Sequence, residues 1–355
     1  MPAGIIKMRK ATIVTVTCDR DGSLERFLES LVHCRRFREI AVLILLNGES
    51  PSTESILTRY HARYENIEFL KAKKARKGQA RNILLRHVRT ELVYFLDDDV
   101  IVSGDTCSVM LESMENYPGA DIIGGPNLTP PGSNLFQVAQ GAVLGSFFGT
   151  LWMSRRYTRC GEPSAADERM LILCNLAFRM RVFEKSNICF NDSIICAEEN
   201  LLLQELMCAG YRAVYIPGLA VYHERRKNYT EFCRQIFTYG RGRCQAAKCR
   251  FRVDNLLYCI PAMFLVYLGA LLVGHWPGYL LPGYAYLTVC LFNAAKKAIE
   301  TQHRSLFWVF LVLFPTIHLA YGAGFLFEAL RWKSVLASCQ SSDFGRKRDY
   351  AQEAL

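Results

Sequence analysis

Leu92-Val93-Tyr94-Phe95-Leu96-Asp97-Asp98-Asp99-Val100 decides the fold class of this chain. An apolar, β-favouring run ends in three consecutive carboxylates and then turns apolar again. Desolvating an unpaired carboxylate is costly. The three acids therefore belong where a strand leaves the core and meets a cation or a wet cleft. In an open α/β sheet that place is the carboxyl end of the strands, where ligands bind. Alternate residues of an extended segment point the same way, which sets Asp97 and Asp99 on one side and Asp98 on the other. Two oxygen donors on one side suit a hard divalent cation carrying a phosphorylated ligand. For a motif this short, a solvated acidic turn is the plain alternative.

Outward from that stretch, residues 12–124 alternate strand and helix signals, the pattern of a mostly parallel sheet. Thr12–Thr17 reads as the first strand, with Asp21-Gly22-Ser23 opening a helix to about Cys34. Ile40–Leu46 is a continuous apolar strand ending at Asn47-Gly48, and Pro51-Ser52-Thr53 opens the next helix. Ile67–Leu70 is a short strand. Lys71, Lys73, Lys74, Arg76, Lys77 and Arg81 then form a basic run that leads into a helix over about 78–88. Such runs are usually solvated. Here the run precedes the acids by one helix, so its loop shares their edge of a doubly wound sheet and would face a diphosphate.

The 355 residues are 51% hydrophobic and carry a net charge of +10, which favours acidic partners such as nucleotides or phospholipid surfaces. The 14 cysteines include no Cys-x-x-Cys pair and lie in apolar runs, so zinc knuckles and a disulfide framework are not expected. Lys7, Arg9 and Lys10 precede an apolar stretch too short for a signal peptide, and that stretch reads as core strand.

Several motifs together resemble the family 2 glycosyltransferases of GT-A fold. They are Thr17-Cys18-Asp19, Leu46-Asn47-Gly48-Glu49-Ser50, Gly78-Gln79-Ala80-Arg81-Asn82 and Phe95-Leu96-Asp97-Asp98-Asp99. They continue through Leu173–Arg179, Ala197-Glu198-Glu199-Asn200, His223-Glu224-Arg225 and Tyr239-Gly240-Arg241-Gly242-Arg243. The likeness covers roughly residues 10–250, and it is nearest to membrane-bound enzymes of bacterial exopolysaccharide (succinoglycan-type) synthesis. It implies a nucleotide-sugar site built from Thr17, Asp19, Asn47, Arg81, Asp97, Asp98, Glu198, Arg241 and Arg243. It also implies Mg²⁺ or Mn²⁺ on Asp97 and Asp99 with His223 as a third contact, and Glu199 as catalytic base. Two departures stand out. Asn47 replaces the Asp that reads the base, and Glu198-Glu199 replaces the usual Glu-Asp pair. Read without the resemblance, Glu198 and Glu199 are ordinary helix-start acids, and His223 is a strand-end histidine.

Asn134–Met153 carries no formal charge and is long enough to span a bilayer by count. A crossing there would part Asp99 from Glu199, so the segment reads as a helix under the acceptor site, in the lipid interface, or in the core. Residues 225–252 are basic and helical in pattern, which suits anionic headgroups. Asn255–Ala295 holds no Asp, Glu, Lys or Arg. It reads as spans over about 256–275 and 279–295, with a third over 305–327 kinked at Pro315.

The expected organisation is a catalytic domain over 1–250, transmembrane helices over 251–332 and a polar basic tail over 333–355. The expected protein is a multi-pass inner-membrane enzyme with its catalytic domain in the cytoplasm. It would move sugar from a nucleotide-sugar donor, a UDP-sugar first, to a lipid-linked saccharide acceptor, with membrane lipids as partners and no nucleic acid. Gln235 is present but the Gln-x-x-Arg-Trp of processive relatives is not, which ranks a processive polysaccharide synthase second. A non-catalytic scaffold would need none of Asp97, Asp99 or Glu199.

Overall fold

The computed structural model describes residues 9–273 and 277–331. The expected basic tail over 333–355 and residues 274–276, at the end of the first expected span, lie outside them. Four parallel strands form the first half: β1 (Ala11–Thr17), β2 (Ile40–Asn47), β3 (Ile67–Ala72) and β4 (Leu92–Leu96). Three helices connect them: α1 (Asp21–Val32), α2 (Pro51–Arg63) and α3 (Lys77–His87). Every residue of β2 and β4 is buried, as the unbroken apolar runs require of strands covered on both faces.

The chain then adds β5 (Val100–Val102), α4 (Thr106–Asn116), β6 (Ile122–Gly124), β7 (Asn127–Leu128), α5 (Leu135–Leu144) and α6 (Phe147–Thr150). β8 (Ser164–Ala166), β9 (Asn175–Arg179), α7 (Arg181–Ser186), α8 (Glu198–Cys208), β10 (Ala213–Tyr215) and β11 (Val221–His223) follow. The main sheet has the order β3-β2-β1-β4-β9-β6-β10-β8, and β9 runs antiparallel to both neighbours. A small sheet, β5-β11-β7, sits where the main strands end. Within it β11 pairs antiparallel with β5, with His223 opposite Val100. That register brings the histidine to the residue after Asp99.

The charge-free 134–153 segment is not one helix. α5 is capped by Asn134 and Gln137 and stops at Gly145; α6 is a single turn, and a 3-10 stretch, Leu151–Arg156, follows. Ten residues of α5 are too few to cross a bilayer. The two glutamines that interrupt its apolar face are anchors: Gln137 Nε2 donates to the Arg225 carbonyl at 2.9 Å and buried Gln140 Nε2 to that of Arg226 at 2.7 Å.

The basic segment is α9 (Tyr229–Cys249), and the tail supplies α10 (Ile260–Leu271), α11 (Leu281–Glu300) and α12 (Phe307–Leu330). Among the described residues, two stretches are long and apolar enough to cross a membrane, Val253–Leu271 and Arg304–Leu330. α11 is not among them; Lys296, Lys297 and Glu300 cut its apolar run short. The expected three spans are therefore two by this measure. The two also differ: the most apolar window of Val253–Leu271 is 11% buried and that of Arg304–Leu330 is 44% buried. α12 packs on α9 and α5, where Phe232, Ile236, Phe310 and Phe314 form one core. Pro315 lies inside α12 without ending it.

Candidate active site

Strand ends of the main sheet and the start of α8 converge on one polar cleft of about 430 Å³. It is lined on one side by Asp97, Asp99, His223 and Arg20, and on the other by Glu198, Glu199, Lys77 and Arg81. Arg81 spans the two sides. Its Nη1 bonds Glu198, its Nη2 lies 3.6 Å from Asp97 Oδ1, and its guanidinium sits over the Phe190 ring. The acid tip of β4 and the acids opening α8, separated by a hundred residues of chain, thus share one cation.

Asp97, Asp99 and His223 each offer one ligand atom, and the three atoms lie within 4.8 Å of one another. The His223 Nδ1–H donates to the Glu224 carbonyl at 3.0 Å, because a carbonyl can only accept. That leaves Nε2 facing Asp99 Oδ1 at 3.1 Å. Burial opposes charge on both groups, but the pair offsets it: Asp99 is held low by His223 and Arg20, and His223 is raised by Asp99. Two carboxylates and an imidazole fit a hard divalent ion.

Asp98 turns away, as alternation requires. It is buried, accepts from Thr17 Oγ1 at 2.8 Å and from Arg20 Nη1 at 3.0 Å, and burial pushes its carboxyl up to about 6. Asp98 and Thr17 brace the tip through these bonds and are not among the residues lining the cleft. Asn47 is tied to the basic loop: its Nδ2 donates to the Ala75 carbonyl at 3.0 Å and its Oδ1 accepts from the Ala75 amide at 2.7 Å. One N–H and one lone pair of the amide remain beyond these two bonds. Asp19, in left-handed conformation at φ 54°, accepts from Cys18 Sγ and also stands outside the cleft lining.

The basic run divides. Lys77 and Arg81 line the cleft; Lys71 pairs with Glu54, and Arg76 bonds the Asp192 carbonyl at 3.5 Å. Arg20 was not singled out by the sequence reading. Its Nη1 lies 2.7 Å from Asp99 Oδ2 as well as on Asp98. Its position, three residues past the end of β1 on the same sheet edge as the acids, was the available signal.

Glu198 and Glu199 open α8 after Ala197, a non-glycine residue at φ 67°. Burial would raise Glu198, but Arg81 and then Lys77 bring it below the ordinary carboxylate range. Glu199 moves the other way: burial first, then the neighbouring Glu198 charge, raise it, against the pull of Arg156 at 3.7 Å. Its Oε1 accepts from Asn200 Nδ2 at 3.0 Å. Adjacent carboxyls with opposite shifts are the pattern of one structural anion and one proton acceptor.

The two arginines of the Tyr-Gly-Arg-Gly-Arg segment part company. Buried Arg243 donates to Asn200 Oδ1 at 2.8 Å and stacks over Tyr258, on the far side of Glu199 from the acid tip. Arg241 leaves the site entirely: its Nε binds Glu328 of α12 at 2.9 Å. Neither is among the residues lining the polar cleft.

The family model of glycosyl transferase family 2 matches residues 12–186. No curated protein sequence gives a match. Among solved structures, the mannosyltransferase PcManGT from Pyrobaculum calidifontis, in complex with GDP-Man and Mn²⁺, is similar at a TM-score of 0.57 and 14% identity, over 92% of this chain and 89% of that one. S. aureus TarS 1-349 is similar at a TM-score of 0.47 and 12% identity, over 91% of each chain. The matched segment, the sheet order and the acid-tipped fourth strand agree: residues 12–186 carry a family 2 glycosyltransferase domain, the fold is GT-A, and the protein is a glycosyltransferase.

Proposed function

We propose that this glycosyltransferase moves the glycosyl group of a nucleoside-diphosphate sugar onto a hydroxyl of a lipid-linked saccharide, with inversion. The observation that carries the reading is the Arg81 bridge, which joins the Asp97/Asp99/His223 cluster and the Glu198-Glu199 pair in a single cleft. Asp97, Asp99 and His223 would hold Mg²⁺ or Mn²⁺. When bound, such an ion neutralises the charge that develops on a diphosphate leaving group. Lys77 adds positive charge to the same cleft.

Glu199, raised by burial and by its neighbour, takes the proton of the acceptor hydroxyl. The hydroxyl oxygen attacks the anomeric carbon as the bond to the diphosphate breaks, and one displacement inverts the centre. Arg81 holds Glu198 ionised and keeps the α8 start against the acid tip. A UDP-sugar remains the first donor to try, with GDP-mannose beside it.

The two long apolar stretches and the basic α9 are what support a lipid-linked acceptor. A catalytic domain ending near residue 250 and tied to membrane helices would work at the cytoplasmic face of the inner membrane. The test uses the full chain in detergent, with labelled UDP- and GDP-sugars and Mn²⁺ or Mg²⁺. Donor turnover is expected to vanish with chelator. It is expected to fall at least about 10²-fold in Asp99→Ala and Glu199→Gln. Full activity in both variants would reject the assignment.

A further inference from the structure

Beside the polar cleft lies a second chamber of about 370 Å³, a size typical of small-molecule sites. Its walls are apolar, with Leu144, Phe148, Ile236, Phe264, Ile317 and Tyr321 among them. They come from α5, α6, α9, α10 and α12, not from the nucleotide-facing sheet. A nucleoside diphosphate has nothing to pair with along most of this surface. Arg156, Asn200, Arg243 and Glu199 form one polar cluster in its lining; His318 and Tyr286, hydrogen-bonded to each other, and Arg169, stacked over Trp152, are set apart from it.

Glu199 lines both the chamber and the cleft, and Tyr157, Ile172 and Tyr239 stand in the same dividing wall. Trp152 and Ile260 also line the chamber and are 46% and 51% exposed. Ile260 belongs to Val253–Leu271, one of the two stretches apolar enough to enter a bilayer. A greasy path therefore runs from a lipid-facing surface to the carboxylate that faces the donor.

We infer that this chamber binds the hydrocarbon chain of the acceptor, with the polar head turned towards Glu199. The inference rests on the glycosyl-transfer reading and adds to it where the lipid sits. Binding of a chain end there excludes water from the proton acceptor and leaves the donor side of the cleft open. A structural bilayer lipid in the same place would not approach Glu199 with its head.

The experiment uses the full chain in phosphatidylcholine nanodiscs. Alkyl glucosides of six, eight and ten carbons are titrated against metal-dependent hydrolysis of the donor, and transfer to the glucoside or inhibition of hydrolysis reports its head at Glu199. Apparent affinity is expected to tighten by up to about fourfold per added methylene. Ile260→Trp, which blocks the mouth, is expected to flatten that dependence. Val253→Trp, on the same stretch but outside the chamber, is expected to keep it. In a separate arm, a diazirine-bearing dodecyl glucoside is cross-linked without donor, and label is expected in the peptides around Phe148–Trp152 and Leu257–Phe264. No chain-length dependence, equal dependence in Ile260→Trp, or label confined to outward residues beyond these peptides, such as Leu272, would overturn the inference. Chamber labelling in a protein that turns over no donor would support the chamber and sink the glycosyl-transfer reading alone.

Discussion

A carboxylate becomes a base by being denied water, and Glu199 illustrates how finely that is set. Its side chain is 13% exposed, burial and the Arg81-paired Glu198 beside it raise it, and Arg156 at 3.7 Å and Arg243 pull it down. Transfer requires the ionised form, so kcat should fall as pH drops through a value above the ordinary glutamate figure of about 4.5. Arg156→Gln removes a charge that lowers that value, so the acid limb of the pH–kcat profile should move to higher pH. An unmoved limb would mean another group titrates. Asn47 makes the opposite point. The sequence places it where a base-reading acid is expected, and nothing in the residue type discloses that its Nδ2 and Oδ1 both bond the backbone of Ala75. Asn47→Ala should cost about 1–3 kcal/mol of stability, read as a lower melting temperature, and leave the preference between UDP- and GDP-sugars unchanged. The cluster of Asp97, Asp99 and His223 was legible because unpaired acids at a strand end have few places to go. For Asp98, Thr17 and Asn47 the residue type does not tell the bracing bonds from binding, because both use the same polar side chains.

At the scale of elements, the sequence rhythm predicted β1 to β4 and their helices to within a residue or two, since buried strands must be apolar throughout. It could not show that the 134–153 segment breaks at Gly145, because lack of charge says nothing of helix length. Nor did it show why α9 carries Tyr-Gly-Arg-Gly-Arg. The arginines drew the attention, yet the glycines set the geometry. A β-carbon at Gly240 would lie 2.0 Å from the Tyr321 carbonyl oxygen of α12, and one at Gly242 would lie 2.5 Å from the Cys196 carbonyl oxygen. The second contact sits two residues before Glu198. Gly242→Ala should therefore shift the α8 start, and a misplacement near 1 Å costs about 10²-fold in rate. Gly240→Ala strains only the docking of α12, at about 1–3 kcal/mol. Measured together, the first variant should lose kcat and the second should lose melting temperature while retaining kcat when folded. Equal rate losses in both would remove the distinction.

For the whole molecule, the question is whether the hydrophobic tail is an anchor hung on the enzyme or part of it. Composition alone favoured an anchor, since a long apolar run looks the same in lipid and in a protein core. The burial of α12 against α9 and α5 makes it part of the enzyme. The tie is also ionic: Glu328, near the end of α12, is almost fully buried and accepts from Arg241 Nε and from Gln245 Nε2, both at 2.9 Å. A carboxylate left without its cation in such a place costs about 3–5 kcal/mol, whereas a pair replaced as a unit costs far less. Arg241→Met should therefore destabilise the full chain strongly, and adding Glu328→Gln, which still bonds Gln245, should restore most of the loss. Melting temperature and donor turnover should recover together, because the same helix carries the wall behind Glu199. Recovery of stability without turnover would place Arg241 in the reaction itself, and no recovery at all would mean the two helices are held by packing alone.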